Sequence, residues 1–154
     1  MTDTPDERHI IGAVLAQMPY GATMGMAVHA LEDKALVCHL PFDESLIGNR
    51  DLPAIHGGAL SSFMEMVATL EVARRQVAML DSPDWRDLDA IAAVVPVPLN
   101  VTVQYLRSAK AADCYARAEV LKLGRRSNTV FCRLWQDNEA KPVASMTGVF
   151  VSAS

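Results

Sequence analysis

The residues best suited to chemistry share one stretch, IHGGALSSFMEMVATLEVARR, residues 55–75. Glu65 lies inside the apolar run Phe63-Met64-Glu65-Met66-Val67. A carboxylate among apolar side chains is costly to bury unless something compensates it, so its presence calls for a use. His56-Gly57-Gly58 opens the same helix-like run. The first backbone N–H groups of a helix have no intrahelical partner, and the helix dipole makes that end locally positive. Glycines leave those N–H groups unobstructed, so a carbonyl oxygen or a developing oxyanion can approach closely. The plainer reading is that the glycines only ease a tight turn and close packing. A carboxylate on the same helix favours the functional one.

Gly57 and Glu65 are eight residues apart, about 12 Å along a helix. A base or nucleophile must act within roughly 3 Å of its target, or through one water. The two groups of one helix are therefore too far apart to serve one small reacting centre. Two antiparallel helices related by a two-fold axis bring Gly57 of one subunit near Glu65 of the other. A homodimer is the expectation.

The elements that must position these groups follow from periodicity. Thr4-Pro5-Asp6-Glu7 reads as a capped helix start. The stripe His9, Ile10, Ile11, Val14, Leu15 and Met18 predicts an amphipathic helix over residues 1–20, ending near Gly21. Met24 to Ala30 and Ala35 to Leu40 read as two strands around the polar turn Glu32-Asp33-Lys34. PFDESLIGNRDLPAI is rich in turn formers and leads to the HGG helix, and LDSPDWRDLD reads as a loop or short helix beyond it. Val94 to Leu106, Cys114 to Leu123, Ser127 to Gln136 and Pro142 to Val151 are strand-like. Strands with one long apolar helix give an α+β layer architecture, and the 154 residues form one domain without repeat or linker. The helix is apolar over much of its circumference, so it must be covered on more than one side. A sheet covers part of it, and a second subunit could cover the rest.

Composition narrows the function. The chain is 51% apolar and 21% charged with a net charge of −4, which fits a globular protein and not a nucleic-acid binder. Cys38, Cys114 and Cys132 are widely spaced with no CxxC pair, so they read as small buried hydrophobes, and no metal site is expected. His29 and His39 read as structural, and His9 as surface. The acidic start MTDTPDERH is unlike a signal peptide, and Glu65, Glu71, Arg74 and Arg75 interrupt the apolar helix too often for a membrane span. A cytoplasmic protein without a membrane partner is expected.

HGGALSSFMEMVATLE resembles the HGG-x6-Asp/Glu motif of hotdog-fold thioesterases of the PaaI-like type. The preceding IGN, the later NVTVQYLRSAKAADCYARAEVLKLGRR and the closing VASMTGVFV are similar to the same family, so the likeness runs from about Gly21 to Val151. It implies a hotdog fold, an antiparallel sheet wrapped around a long central helix and paired into dimers or tetramers. It implies hydrolysis of an acyl-CoA thioester, with coenzyme A part of the substrate and no other cofactor. By position, Glu65 matches the catalytic carboxylate, as general base or as nucleophile. Gly57 matches the backbone N–H that polarises the thioester carbonyl, and His56 and Asn49 match the polar pair that orients water or thioester. Three features depart from the pattern: Glu where many relatives carry Asp, a longer Asn49–His56 segment, and LRSA for the commoner LRPA.

Gly58 and the cations Arg107, Arg125 and Arg126 complete the expected substrate-binding set, with Lys110 a further cation for the phosphates of coenzyme A. Glu71 is expected among polar groups or paired with Arg74 or Arg75. Phe63, Met64, Met66 and Trp85 are candidates to line an acyl pocket, with core packing the alternative. Thr102 and Gln104 share a strand face beside Tyr105. Two other functions suit the same fold: a non-catalytic acyl-CoA or acyl-carrier binding protein, which leaves the His56, Gly57 and Glu65 set without a use, and a hotdog dehydratase or hydratase, for which a second histidine near the helix is missing.

Overall fold

The C-terminal half alternates apolar and polar residues, and this pattern builds the main sheet. A computed structural model of the chain describes residues 7–80 and 87–152; Thr4, Pro5, Pro83 and Trp85 lie outside them. The order is α1 (Glu7–Ala16), α2 (Pro19–Met24), β1 (Ala27–Leu31), β2 (Leu36–Leu40), a 3-10 turn (Glu44–Leu46), β3 (Ile47–Asn49), β4 (Ala54–Ile55) and α3 (Gly57–Val77). Then come α4 (Leu88–Val94), β5 (Val97–Tyr105), β6 (Cys114–Lys122), β7 (Ser127–Trp135) and β8 (Ala144–Val151). Six strands form one sheet in the order β1-β2-β6-β7-β8-β5, antiparallel throughout, and β3 with β4 forms a small hairpin.

Alternation decides which side of each strand meets α3. In β7, Asn128, Val130, Cys132 and Leu134 are buried while their neighbours are half-exposed. Cys114, Ala116 and Ala118 of β6 do the same, and these small side chains let the helix lie close. Phe63, Met64, Val67 and Leu70 of α3 are fully buried, each worth about 1.5–3 kcal/mol of transfer free energy before ordering costs. Phe63, Met64 and Met66 are thus core residues, as their packing alternative had it. This is the hotdog arrangement, with a long helix held against a six-stranded antiparallel sheet.

Two local expectations change. The N-terminal helix was predicted to run unbroken to residue 20. Instead α1 stops at Ala16 and α2 starts at Pro19. Proline lacks an N–H and clashes with the preceding turn, so it suits a helix start and not its interior. Part of the cover assigned to a second subunit comes from within the chain, because α1 and α4 pack on α3. Glu7 of α1 reaches Arg74 at 3.3 Å, which seats α1 over the C-terminal half of the helix. The N-terminal half keeps a half-exposed strip of Gly58, Ser61, Ser62 and Glu65 at helical spacing. No helix among the described residues is long and apolar enough to cross a membrane.

Candidate functional site

The site begins where β4 runs into α3. His56 is the N-cap, and its Nδ1 accepts the Gly58 N–H at 2.8 Å. With Nδ1 accepting, the ring N–H lies on Nε2. His56 is itself held by its own N–H, which donates to the Leu46 carbonyl at 2.8 Å. The β3–β4 hairpin runs beside it so closely that a Cβ at Gly48 would lie 2.8 Å from the His56 Cα. The same hairpin sets Asn49 opposite Ala54, two residues before His56. Asn49 is exposed, and its Oδ1 accepts the Asp51 N–H at 3.0 Å.

Gly57 and Gly58 then play different parts. The Gly58 N–H is consumed by His56, whereas the Gly57 N–H has no acceptor among the described residues. Gly58, expected in the substrate-binding set, thus has its N–H engaged in the cap, while the N–H of Gly57 stays open. Tyr105 closes one side of this position. Its hydroxyl donates to the Gly57 carbonyl at 3.0 Å, and a Cβ on Gly57 would lie 3.1 Å from its ring. Sequence reasoning treated Tyr105 only as a neighbour of Thr102 and Gln104. Period-two alternation was the available signal, because Val101, Val103 and Tyr105 share the strand face turned to the helix.

Glu65 lies two helical turns further on, half-exposed, and its carboxylate has no hydrogen bond or ion pair among the described residues. The unbroken helix from Gly57 keeps the two groups about 12 Å apart. Of the expected cations, Arg107 is the near one. The Ile55 N–H donates to the Ala109 carbonyl at 3.0 Å, and Ala54 bridges Lys110, so the loop after β5 lies alongside the start of α3. Arg107 donates through Nε to the Pro142 carbonyl at 3.1 Å. It lines an open groove of about 600 Å³ with Lys110, Asp113, Tyr115, Gln136 and Lys141. Arg125 and Arg126 are elsewhere. They follow Gly124, whose carbonyl accepts from Gln76 at the far end of α3, about 28 Å from Gly57 along the axis. One chain does not bring them to the HGG end.

Other candidates resolve into structure. Burial, and then the charge of Glu71, pushes the Cys38 thiol up to about 12. Burial pushes Cys114 up to about 11 and raises Cys132 further. None is a thiolate nucleophile at neutral pH. His39 stacks on Tyr115 with ring centres 5.0 Å apart, and His29 meets the same ring edge-on at 5.0 Å. His39 Nε2 pairs with Asp113 at 2.8 Å. The Phe42 N–H first, and His39 second, hold the Asp113 carboxyl below its usual range. No cluster of three or more metal-ligating side chains occurs among the described residues.

Similarity to known proteins points the same way. A conserved protein of Pseudomonas aeruginosa is 27% identical, with 86% of this chain and 92% of that one covered and a TM-score of 0.69. A thioesterase family protein of Silicibacter pomeroyi superposes with a TM-score of 0.74 at 18% identity, covering 95% and 97% of the two chains. A phenylacetic acid degradation-related protein of Ralstonia eutropha gives 0.68 at 21% identity, covering 92% and 98%. No protein of curated function matches the chain. Fold and helix start define a hotdog protein of the thioesterase kind. Residues 52–143 match the thioesterase superfamily, and the chain belongs to it. Thioester hydrolysis is the general chemistry of that assignment.

Proposed function

We propose that this protein hydrolyses an acyl-CoA thioester at two composite sites of a homodimer, each built from Gly57 of one subunit and Glu65 of the other. The observation that carries this reading is the pairing of two unsatisfied groups on one helix. Among the described residues the Gly57 N–H and the Glu65 carboxylate both lack partners, yet they stand about 12 Å apart. The open edge of β5 supports a two-fold partner. Among the described residues it pairs only with β8, and it exposes Val97 and Leu99; an unpaired strand edge is a template for another strand.

The chemistry follows from the charges. The thioester carbonyl accepts the Gly57 N–H, which stabilises the oxyanion as it forms. As general base, the partner's Glu65 takes a proton from water, hydroxide adds to the carbonyl carbon, and the tetrahedral intermediate expels the thiolate of coenzyme A. The thiolate then takes the proton from Glu65. As nucleophile, Glu65 adds to the same carbon and expels the thiolate, and water hydrolyses the resulting anhydride. Asn49 and the His56 Nε2–H orient water or thioester, while Arg107 and Lys110 meet the phosphates. The reaction needs no cofactor beyond the coenzyme A of the substrate. Arg125 and Arg126 could contribute to this site only from another subunit.

The test is thiol release from a panel of short, long and aryl acyl-CoA esters, with the wild type and Glu65→Gln compared on the best substrate. Glu65→Gln retaining wild-type turnover would overturn the assignment of Glu65. Acyl-CoA binding without hydrolysis would favour a binding protein, and water addition to an enoyl-CoA would favour a hydratase.

A further inference from the structure

The peptide between Gly57 and Gly58 is held at both ends by side chains. Its N–H, on Gly58, donates to His56 Nδ1 at 2.8 Å. Its C=O, on Gly57, accepts from the Tyr105 hydroxyl at 3.0 Å. The two holds come from different elements: His56 caps α3 from within the chain turn, and Tyr105 ends β5, 48 residues after Gly57. Two successive glycines are the most permissive backbone a chain can place at a helix start, and unrestrained they wander over φ and ψ. The Gly57 N–H sits one residue before the clamped peptide, so its direction depends on that plane staying fixed.

We propose that Tyr105 is a positioning residue, which with His56 clamps the Gly57–Gly58 peptide and so pre-aims the free Gly57 N–H. The inference rests on the thioesterase reading of the site. A preorganised donor stabilises an oxyanion without reorganising at the moment of reaction, and a donor that must first be ordered loses part of that advantage. The Tyr105 ring has a second effect. A Cβ at position 57 would lie 3.1 Å from it, so a side chain there requires the ring to give by a few tenths of an ångström. Tyr105 itself is 54% exposed, so its hydroxyl is not there to fill the core.

Tyr105→Phe keeps the ring and removes only the O–H donor. A donor loosened in the transition state lowers kcat and leaves ground-state binding alone. The expected result is kcat down about tenfold, a fraction of the 10²–10³ lost when an oxyanion donor is deleted, with KM unchanged. A kcat equal to wild type would overturn the proposal. A double-mutant cycle tests the ring. Gly57→Ala should cost clearly less turnover in a Tyr105→Ala background than alone, and an equal cost in both would overturn the contact. The glycine amide resonances give a readout that needs no turnover. Gly57 and Gly58 should shift in Tyr105→Phe, and unmoved resonances would sink the clamp. A wild type inactive on every thioester would overturn the functional reading, and the resonances would still decide the clamp.

Discussion

Glu65 and Glu71 stand six residues apart on one helix and do opposite things. Glu71 is fully buried, and each of its oxygens is taken: Arg74 donates through Nε and Nη2 at 2.8 Å, and Arg75 through Nε at 2.9 Å. Arg74, only 5% exposed, also donates to Glu7 and to the Glu32 carbonyl. Burial works against its charge, but the hydrogen bonds and charge of Glu71 outweigh it and raise its pKa. Glu65, about 1.7 turns away, is half-exposed and has no partner among the described residues. The difference lies in what covers the helix. Over its C-terminal half, α1 and the sheet close around the carboxylate and arginines close around its charge. Over the N-terminal half nothing among the described residues does so. A satisfied carboxylate serves the fold, and an unsatisfied one beside an open strip is available for chemistry.

The largest effect expected from breaking this contrast is at Glu71. Glu71→Ala leaves Arg74 buried without its main partner, and removing one half of a buried pair costs about 3–5 kcal/mol. Chemical denaturation of the variant should show that loss, and a cost below about 1 kcal/mol would mean the network is not the restraint described here. Glu65→Gln is the mirror experiment. Its stability should stay within about 0.5 kcal/mol of wild type, while turnover on the best thioester falls about 10²–10⁴-fold. A destabilised but active variant would reverse the contrast.

Cys38 offers a smaller probe of the buried half. Its thiol is raised to about 12, by burial first and by Glu71 second, against about 8.5 in an unfolded chain. The stability tied to that raised value is complete below about pH 8.5 and declines as pH rises towards about 12. The loss should approach about 1.4 kcal/mol per pH unit for this one group. Denaturation midpoints at pH 8, 9 and 10 should therefore fall less steeply in Cys38→Ala than in wild type. The smallest effect is expected at Glu7, a half-exposed carboxylate on the rim of the same network. Glu7→Ala should cost no more than about 0.5 kcal/mol, and a larger loss by denaturation would extend the restraint to α1.

Much of this contrast could be read along the chain. The apolar run around Glu65 and the Arg74-Arg75 pair after Glu71 sit within one helix, where spacing of three and four residues decides neighbours. The strands of the C-terminal half fell within a few residues of their predicted limits for the same reason. Missed features required contacts between distant residues or a local break. Pro19 split the first helix where the apolar stripe seemed continuous. Arg125 and Arg126 looked equivalent to Arg107 as turn cations, yet the fold puts them at opposite ends of α3. Tyr105 meets Gly57 across 48 residues; period two gives the strand face of Tyr105, and the fold supplies the partner it meets there.

By itself the sequence determined the long helix, the alternating strands, the HGG opening and the length between Gly57 and Glu65, because each is a property of neighbours along the backbone. Only the tertiary structure decided which N–H of the two glycines stays free, which of the two glutamates is satisfied, and which arginines lie near the helix start. Those outcomes depend on what packs over each turn of α3, and that cover comes from residues far away in the chain.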